Sequence, residues 1–253
     1  MSDDEIEIQE PNKKMVLVGG KSTAGKTASL RKMRNPEGVV YLNCESGKDL
    51  PFRFKDKDKK FLKMTVTDPY EIYNALDQVE DMPEVHTVVI DTLTYLMAMF
   101  ESMYVIPAKD GQKAWGKYAD FFKKLHLLYF AKSTKNIVVL AHTADLFNKE
   151  DKAMETLVRV KGSVMNEGVE SYYSTVVVAK KVSTKELEGQ DNDLLNITSK
   201  EEILKFKHVF QTQLTADTVN ERIRANMDMW EDEEVFIDND IQLVLDRLHE
   251  FHA

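Results

Sequence analysis

Cysteine is almost missing from this chain: among 253 residues only Cys44 carries a thiol. A disulfide framework is thereby excluded, and the composition fits a reducing cytoplasm. Proline and glycine are also sparse, at six and ten, and no stretch is biased enough to read as a low-complexity linker. No internal repeat of about 20 to 50 residues is visible. No apolar run approaches the ~18 residues of a membrane span, and the acidic N-terminus is unlike a signal peptide, so no membrane partner is expected. What is present in quantity is apolar residue, 43% of the chain. That is enough for one sizeable core, and the expectation is a single α/β domain with extensions.

Net positive charge is lacking too, because the formal total is −9. The deficit is not evenly spread. Residues 1–12 hold Asp3, Asp4, Glu5, Glu7 and Glu10 with no base, and residues 226–253 hold nine acids against Arg247, a regional charge of −8. Without these two ends the remainder carries +4. An acidic total can therefore conceal a mildly basic working surface, although solubilising termini explain the same numbers. The expected division is an acidic extension over 1–13, a core over 14–225 and an acidic segment with a terminal helix over 226–253. Glu5-Ile6-Glu7-Ile8 alternates like a strand able to add to a neighbour's sheet edge, or belongs to a disordered acidic tail.

Residues 20 to 27 read Gly20-Lys21-Ser22-Thr23-Ala24-Gly25-Lys26-Thr27, a complete G-x-x-x-x-G-K-[ST] phosphate loop. A strand pattern, Lys14 to Val18, precedes it, and Thr27 through Arg34 reads as a helix stopped at Asn35-Pro36-Glu37-Gly38. In that setting the loop amides and the positive helix end form an anion nest for α and β phosphates, reaching as far as Ala28. Gly20 and Gly25 allow the backbone to approach a ligand closely. Lys26 is placed to reach the β and γ phosphates and the Thr27 hydroxyl to ligate Mg²⁺, so ATP and Mg²⁺ are the expected cofactors. A triphosphate site also needs a metal holder on a nearby strand. Thr87-Val88-Val89-Ile90-Asp91 suits a parallel strand buried on both faces, with Asp91 at the carboxyl end where ligands bind. The alternative is an acid that caps the following helix.

Strands and helices alternate along the rest of the chain, which predicts a mainly parallel twisted sheet flanked by helices. Strands are expected at 39–43, 61–66, 87–91, 137–140, 175–179 and near 203–210. A lysine-rich connection runs from Lys55 to Lys63. Asp68-Pro69-Tyr70-Glu71 starts a helix with Ile72, Leu76 and Val79 on one face; Trp115, Tyr118, Phe122, Leu125 and Tyr129 mark another, and Ile241 to Phe251 a terminal one.

Four segments together resemble the RecA/KaiC-type P-loop ATPases: the phosphate loop, Val39 to Gly47 with Glu45 after its strand, Ile90-Asp91-Thr92-Leu93-Thr94, and Val139-Leu140-Ala141-His142-Thr143. Their order covers roughly residues 14–182. The chain is most similar to compact phage-encoded RecA-like ATPases of single-strand annealing and recombination, related to the UvsX recombinases. The resemblance implies a RecA-like core in which Glu45 is the general base and His142, in place of the usual glutamine, senses the γ-phosphate. A solvent-facing strand-end acid and a structural histidine are the alternatives. It further implies two DNA loops, 104–114 with Lys109 and Lys113, and 143–163 with Lys149, Lys152, Arg159 and Lys161. The second is diluted by Asp145, Glu150, Asp151 and Glu155, and a solvated lid is its rival reading. Lys180 and Lys181 resemble basic residues inserted into a neighbouring subunit's ATP site, against the alternative of a charged strand end.

The implied activity is ATP hydrolysis in an oligomer, filament or ring, acting on single-stranded DNA in recombination or annealing. A single-strand-binding protein is a further candidate partner, and the implied location is the host cytoplasm if phage-encoded. The same motifs serve an ATP-driven motor or a nucleotide switch acting on a protein. The chain departs from long recombinases in having only 13 residues before the first strand, hence no expected N-terminal oligomerisation domain.

Overall fold

The β-branched runs become strands buried on both faces, so each must be covered from two sides. In a computed structural model that describes residues 10–149 and 152–253, the strands are β1 (Met15–Gly20), β2 (Val39–Asn43), β3 (Leu62–Thr65), β4 (Thr87–Asp91), β5 (Asn136–Asn148), β6 (Ala153–Val158), β7 (Thr175–Ser183), β8 (Phe206–Gln211) and β9 (Phe236–Asp238). The Glu5 to Ile8 alternation, and Glu150 and Asp151, lie outside the described residues. Every residue of β1, β2 and β4 is buried, as expected of a parallel sheet with helices on both faces.

Across the sheet the order is β3-β2-β4-β5-β1-β7-β8-β9. Pairing is parallel from β3 through β7, while β8 and β9 add antiparallel at the edge. Register matters more than order here. Gly20 pairs with His142, Asn43 with Asp91, and Asp91 with Leu140, so the four motif segments end together at the carboxyl edge. Ligands of open α/β sheets bind at that edge.

One face is covered by α1 (Glu71–Glu80), α2 (Leu93–Phe100) and α3 (Gly111–Lys124). The stripe Ile72, Leu76 and Val79 is buried as the periodicity predicts, and Glu71 accepts from the Thr67 and Asp68 amides to close the helix start. Two short helices, α4 (Gly162–Glu167) and α5 (Ser199–Leu204), connect later strands. The other face carries Leu30 and Met33 after the phosphate loop, and α6 (Ile241–Phe251).

Three expectations about local structure change. The helix expected to 34 is a 3₁₀ segment, Thr27–Lys32, because the Ser29 hydroxyl and amide both draw on the Lys26 carbonyl (2.6 and 3.2 Å), tightening the turn before the left-handed Asn35 and Pro36. The stretch 104–114 is not an open loop: helical turns continue to Val105, and Asp110 accepts from the Lys113 amide to start α3, leaving 106–110 between. Finally, the strand expected to stop at His142 runs on to Asn148. It pairs with β6 as an antiparallel hairpin, so most of 143–163 is ladder rather than mobile backbone.

The acidic segment is built into the core. Met229, Trp230, Phe236, Ile237, Ile241, Val244, Leu245 and Leu248 are buried, and Glu234, Asp238, Asp240, Asp246 and Glu250 each meet a cation. Leu248→Ala should therefore cost about 2–5 kcal/mol of unfolding free energy in a denaturant titration, as for other buried leucines. A loss below about 1 kcal/mol, within the range of exposed substitutions, would detach α6 from the cooperative fold.

Candidate active site

The phosphate loop curves between two constraints. Any side chain at Gly20 would meet the Ala179 carbonyl at 2.9 Å, and Gly25 takes φ +103°, a region closed to most residues. Asn239, from the turn between β9 and α6, donates to the Gly25 carbonyl (2.9 Å) and holds the far side of the loop. Ser22, Thr23, Gly25, Lys26, Thr27 and Ala28 then line a cleft of about 340 Å³, closed opposite by Glu45, Lys48, Tyr95, His142 and His208. Lys21 and Ala24 turn to a second hollow of about 330 Å³ beside β7 and the hairpin.

Lys26 is only 5% exposed. Its ammonium donates to the carbonyls of Gly20 (2.8 Å) and Lys21 (3.0 Å) and lies 3.2 Å from His142 Nδ1. Burial pulls its pKa down to about 8, against the favourable pull of Asp91 and Glu45. Asp91 accepts from the Thr27 hydroxyl and from the Tyr41 hydroxyl, both at 2.7 Å and both on Oδ2. Its Oδ1 is buried with no partner among the described residues. Burial raises the Asp91 pKa, opposed by those two donors.

These atoms fit a magnesium ion carried by a nucleotide. Mg²⁺ with substrate phosphates needs one or two protein oxygens rather than a protein cage, and Thr27 Oγ1 beside the orphaned Asp91 Oδ1 supplies them. No group of three or more His, Cys, Asp or Glu able to hold a metal by itself occurs among the described residues. When bound, the ion would neutralise charge on the phosphate oxygens.

Glu45 follows β2. Its amide donates to Asn43 Oδ1 (2.9 Å), Oε1 lies 3.4 Å from His142 Nε2, and Oε2 pairs with Lys48 at 3.3 Å. His142 at the end of the parallel part of β5 is fixed by its amide donating to Thr94 Oγ1 (2.9 Å) and by the Tyr95 ring. Burial and the Lys26 ammonium lower its pKa, which favours the neutral imidazole. A carboxylate, an imidazole and an ammonium thus converge on the mouth of the phosphate cleft. That set can hold a terminal phosphate and orient a water against it.

The geometry of a complete phosphate loop joined to a strand-end aspartate now has a counterpart in known proteins. The sequence pattern of the AAA domain matches residues 12–215. The chain belongs to the AAA domain family. It is therefore an AAA-type P-loop ATPase by family, with ATP binding as the family property. No curated protein matches the chain. The matched span of this AAA domain contains every motif segment, whereas Asn239 lies beyond it.

The remaining sequence candidates are scattered. Lys180 and Lys181 are neighbours on β7 and so point to opposite sides: Lys180 is held by Gln211 (2.6 Å) and Glu221 (2.5 Å), while Lys181 donates to Thr23 of its own loop (3.1 Å). Lys109 and Lys113 are exposed at the start of α3; Lys149 and Lys152 are exposed at the hairpin turn. Arg159 is exposed, its amide donating to the His142 carbonyl (2.8 Å), and Lys161 pairs with Glu101 at 2.8 Å. Tyr41 and Thr94 lie inside the quoted motif segments but were given no role there, and Asn239 and His208 lie outside them. Thr94 had a signal, since it stands three residues after Asp91; Asn239 had none.

Because free Lys26 titrates near 8 while a bound polyphosphate favours its charged form, nucleotide binding should take up a proton at pH 8–9. The sign is fixed: affinity should fall as pH rises above 8, by up to about tenfold per unit. Titration calorimetry in two buffers of different ionisation enthalpy reads the proton directly. A pH-independent affinity between 7.5 and 9.5 with no proton uptake would show that Lys26 does not meet the phosphates.

Proposed function

We propose that this AAA-family chain hydrolyses ATP and uses the nucleotide state to control its grip on single-stranded DNA, as a recombinase or annealing protein of RecA type working as an oligomer. The observation that carries the reading is the continuity of β5. The same strand that bears His142 at the phosphate cleft runs unbroken into the hairpin. There Phe147 and Met154, paired across the ladder, are 59% and 53% exposed, with Lys149 and Lys152 at the turn. An exposed ring beside cations is the elementary device for single strands: bases stack on the ring and phosphates meet the charges. Lys21 of the phosphate loop pairs with Asp145 on the hairpin at 2.6 Å, a second link between the nucleotide and this surface.

Within this reading Glu45 is the general base and His142 the γ-phosphate contact. Lys181, whose ammonium has only the Thr23 hydroxyl as a hydrogen-bond partner among the described residues, is the better candidate of the two β7 lysines to neutralise transition-state charge, in its own site or a neighbour's.

Glu45→Gln keeps size and a hydrogen-bonding group but removes the base. ATP should still bind while turnover falls by roughly 10²–10⁴-fold, and the complex with single-stranded DNA should outlive that of the wild type. Phe147→Ala should leave nucleotide affinity intact and weaken single-strand binding by about 1–3 kcal/mol in an anisotropy titration. Normal turnover in Glu45→Gln refutes the base; wild-type protein that hydrolyses ATP yet binds no DNA in any nucleotide state points instead to a motor or switch acting on protein.

A further inference from the structure

The largest concentration of positive charge lies away from both the phosphate cleft and the hairpin. Residues 51–63 carry Arg53, Lys55, Lys57, Lys59, Lys60 and Lys63 against Asp56 and Asp58, a local charge of +4 in a chain of −9. This connection folds over the segment that follows the phosphate loop, and between them runs a groove of about 650 Å³. Its rim is Arg31, Lys32, Arg53, Lys55 and Lys59, with Asp56 as the one acid. Its floor is apolar: Met33 and Pro36 are buried, and half-buried Phe54 is fixed edge-on against Phe61 and Phe52 at centroid distances of 4.8 and 5.4 Å.

Cations on a folded surface normally find acids, and several here do. Lys32 meets Asp240 (3.4 Å) and Asp238 (3.6 Å), and Lys59 meets Glu37 (3.5 Å). Arg31, Arg53 and Lys55 have neither ion pair nor hydrogen bond among the described residues. Three uncompensated cations around one groove create a positive potential that the acidic remainder of the molecule does not cancel locally.

We propose that this groove is a second nucleic-acid site, which takes the sugar–phosphate backbone of a single strand. It goes beyond the hairpin reading and does not require it: the groove would grip phosphates at its rim and receive a sugar or base face against half-buried Phe54, whereas the hairpin would stack bases on exposed Phe147. A nucleic acid fits better than an acidic peptide because the occupant must offer anions to a rim and flat apolar faces to a floor of Phe54, Met33 and Pro36. Nucleotides carry both; aspartate and glutamate side chains carry only the first. The rim is also tied to the nucleotide, since Arg31 and Lys32 belong to the same short helix as Thr27.

The test is an anisotropy titration of the full chain with a labelled oligothymidylate over a range of salt, for wild type, the triple variant Arg31→Ala/Arg53→Ala/Lys55→Ala, the charge-keeping pair Arg31→Lys/Arg53→Lys, and the hairpin variant Lys149→Ala/Lys152→Ala. If the three cations meet phosphates, the triple variant should lower the slope of log K against log salt by about 2, from ~0.7 per phosphate contact, with its melting temperature near wild type. The charge-keeping pair should retain the wild-type slope. An unchanged slope in the triple variant, with loss in the hairpin variant, would overturn the groove and keep the hairpin; the reverse would keep the groove and overturn the hairpin. No binding by wild type would overturn both, and preference for poly-glutamate over an oligonucleotide of matched charge would assign the groove to an acidic protein partner instead.

Discussion

The structure turns on the cost of keeping two opposite charges, Lys26 and Asp91, out of water at the edge of one sheet. An ammonium 5% exposed and a carboxylate 2% exposed are tolerable only if each is hydrogen-bonded, because an unpaired buried charge neutralises or unfolds its site. The groups come from four different strands: Gly20 on β1, Tyr41 on β2, the aspartate itself on β4 and His142 on β5. Parallel register is what makes this possible. A one-residue slip of β4 would move Asp91 to the other face of the sheet and leave Lys26 and Thr27 without it. The pair itself is still incomplete, since Asp91 Oδ1 has no partner among the described residues, and that oxygen is where a nucleotide-borne cation has its natural place.

Incomplete satisfaction also explains why the site is responsive. Lys26, depressed to about 8, and His142, pushed below its usual range, are both held away from their comfortable ionisation by burial. Polyphosphate reverses the balance for Lys26, and the Glu45–His142–Lys26 chain carries the change onward because its members stand 3.2 to 3.4 Å apart. From His142 the backbone of β5 continues directly into the hairpin, while Lys21 makes a separate contact with Asp145. A change at the phosphates therefore has two physical routes to the same exposed surface, one through the strand and one through an ion pair that solvent screens.

How legible this was in the sequence depends on how each feature is encoded. β2 and β4 coincide with their expected bounds because a strand buried on both faces reads as a short, nearly continuous apolar run, Val39 to Leu42 in one and Val88 to Ile90 in the other. The resemblance to RecA-type ATPases singled out Glu45 and His142, which the fold brings to the phosphate cleft, while the family match supports the coarser AAA-type ATPase. The hairpin escaped because Asp145, Asn148 and Lys149 interrupt its apolar alternation with turn-like residues, although the ladder satisfies the first two: Asp145 accepts from Thr156 and Asn148 donates to Glu155. α2 escaped for the opposite reason, its Leu93 to Phe100 run being too apolar to show a polar face. Asn239 lies more than two hundred residues from the Gly25 carbonyl it holds, and no local pattern announces such a contact.

Charge shows the same division between what a sequence displays and what a fold does with it. Counted by region, residues 226–253 look like an acidic tail free to compete for basic surface. In the fold, five of those acids are consumed by Lys32, Arg34, Lys207 and Arg247, and Glu234 accepts from the Glu231 amide as well. Asp228, Glu231, Asp232 and Glu233, all exposed, are the ones without an ion pair among the described residues. Some cations are likewise spent within the sheet edge, where Lys180 of β7 and Lys207 of β8 are locked to Glu221 and Glu201. Among the cations left without an ion pair in the described residues, Lys149 and Lys152 stand at the hairpin turn and Arg31, Arg53 and Lys55 around the 31–59 groove. An acidic protein can thus keep basic patches on its surface, because folding pairs the acids of its C-terminal segment with lysines and arginines first.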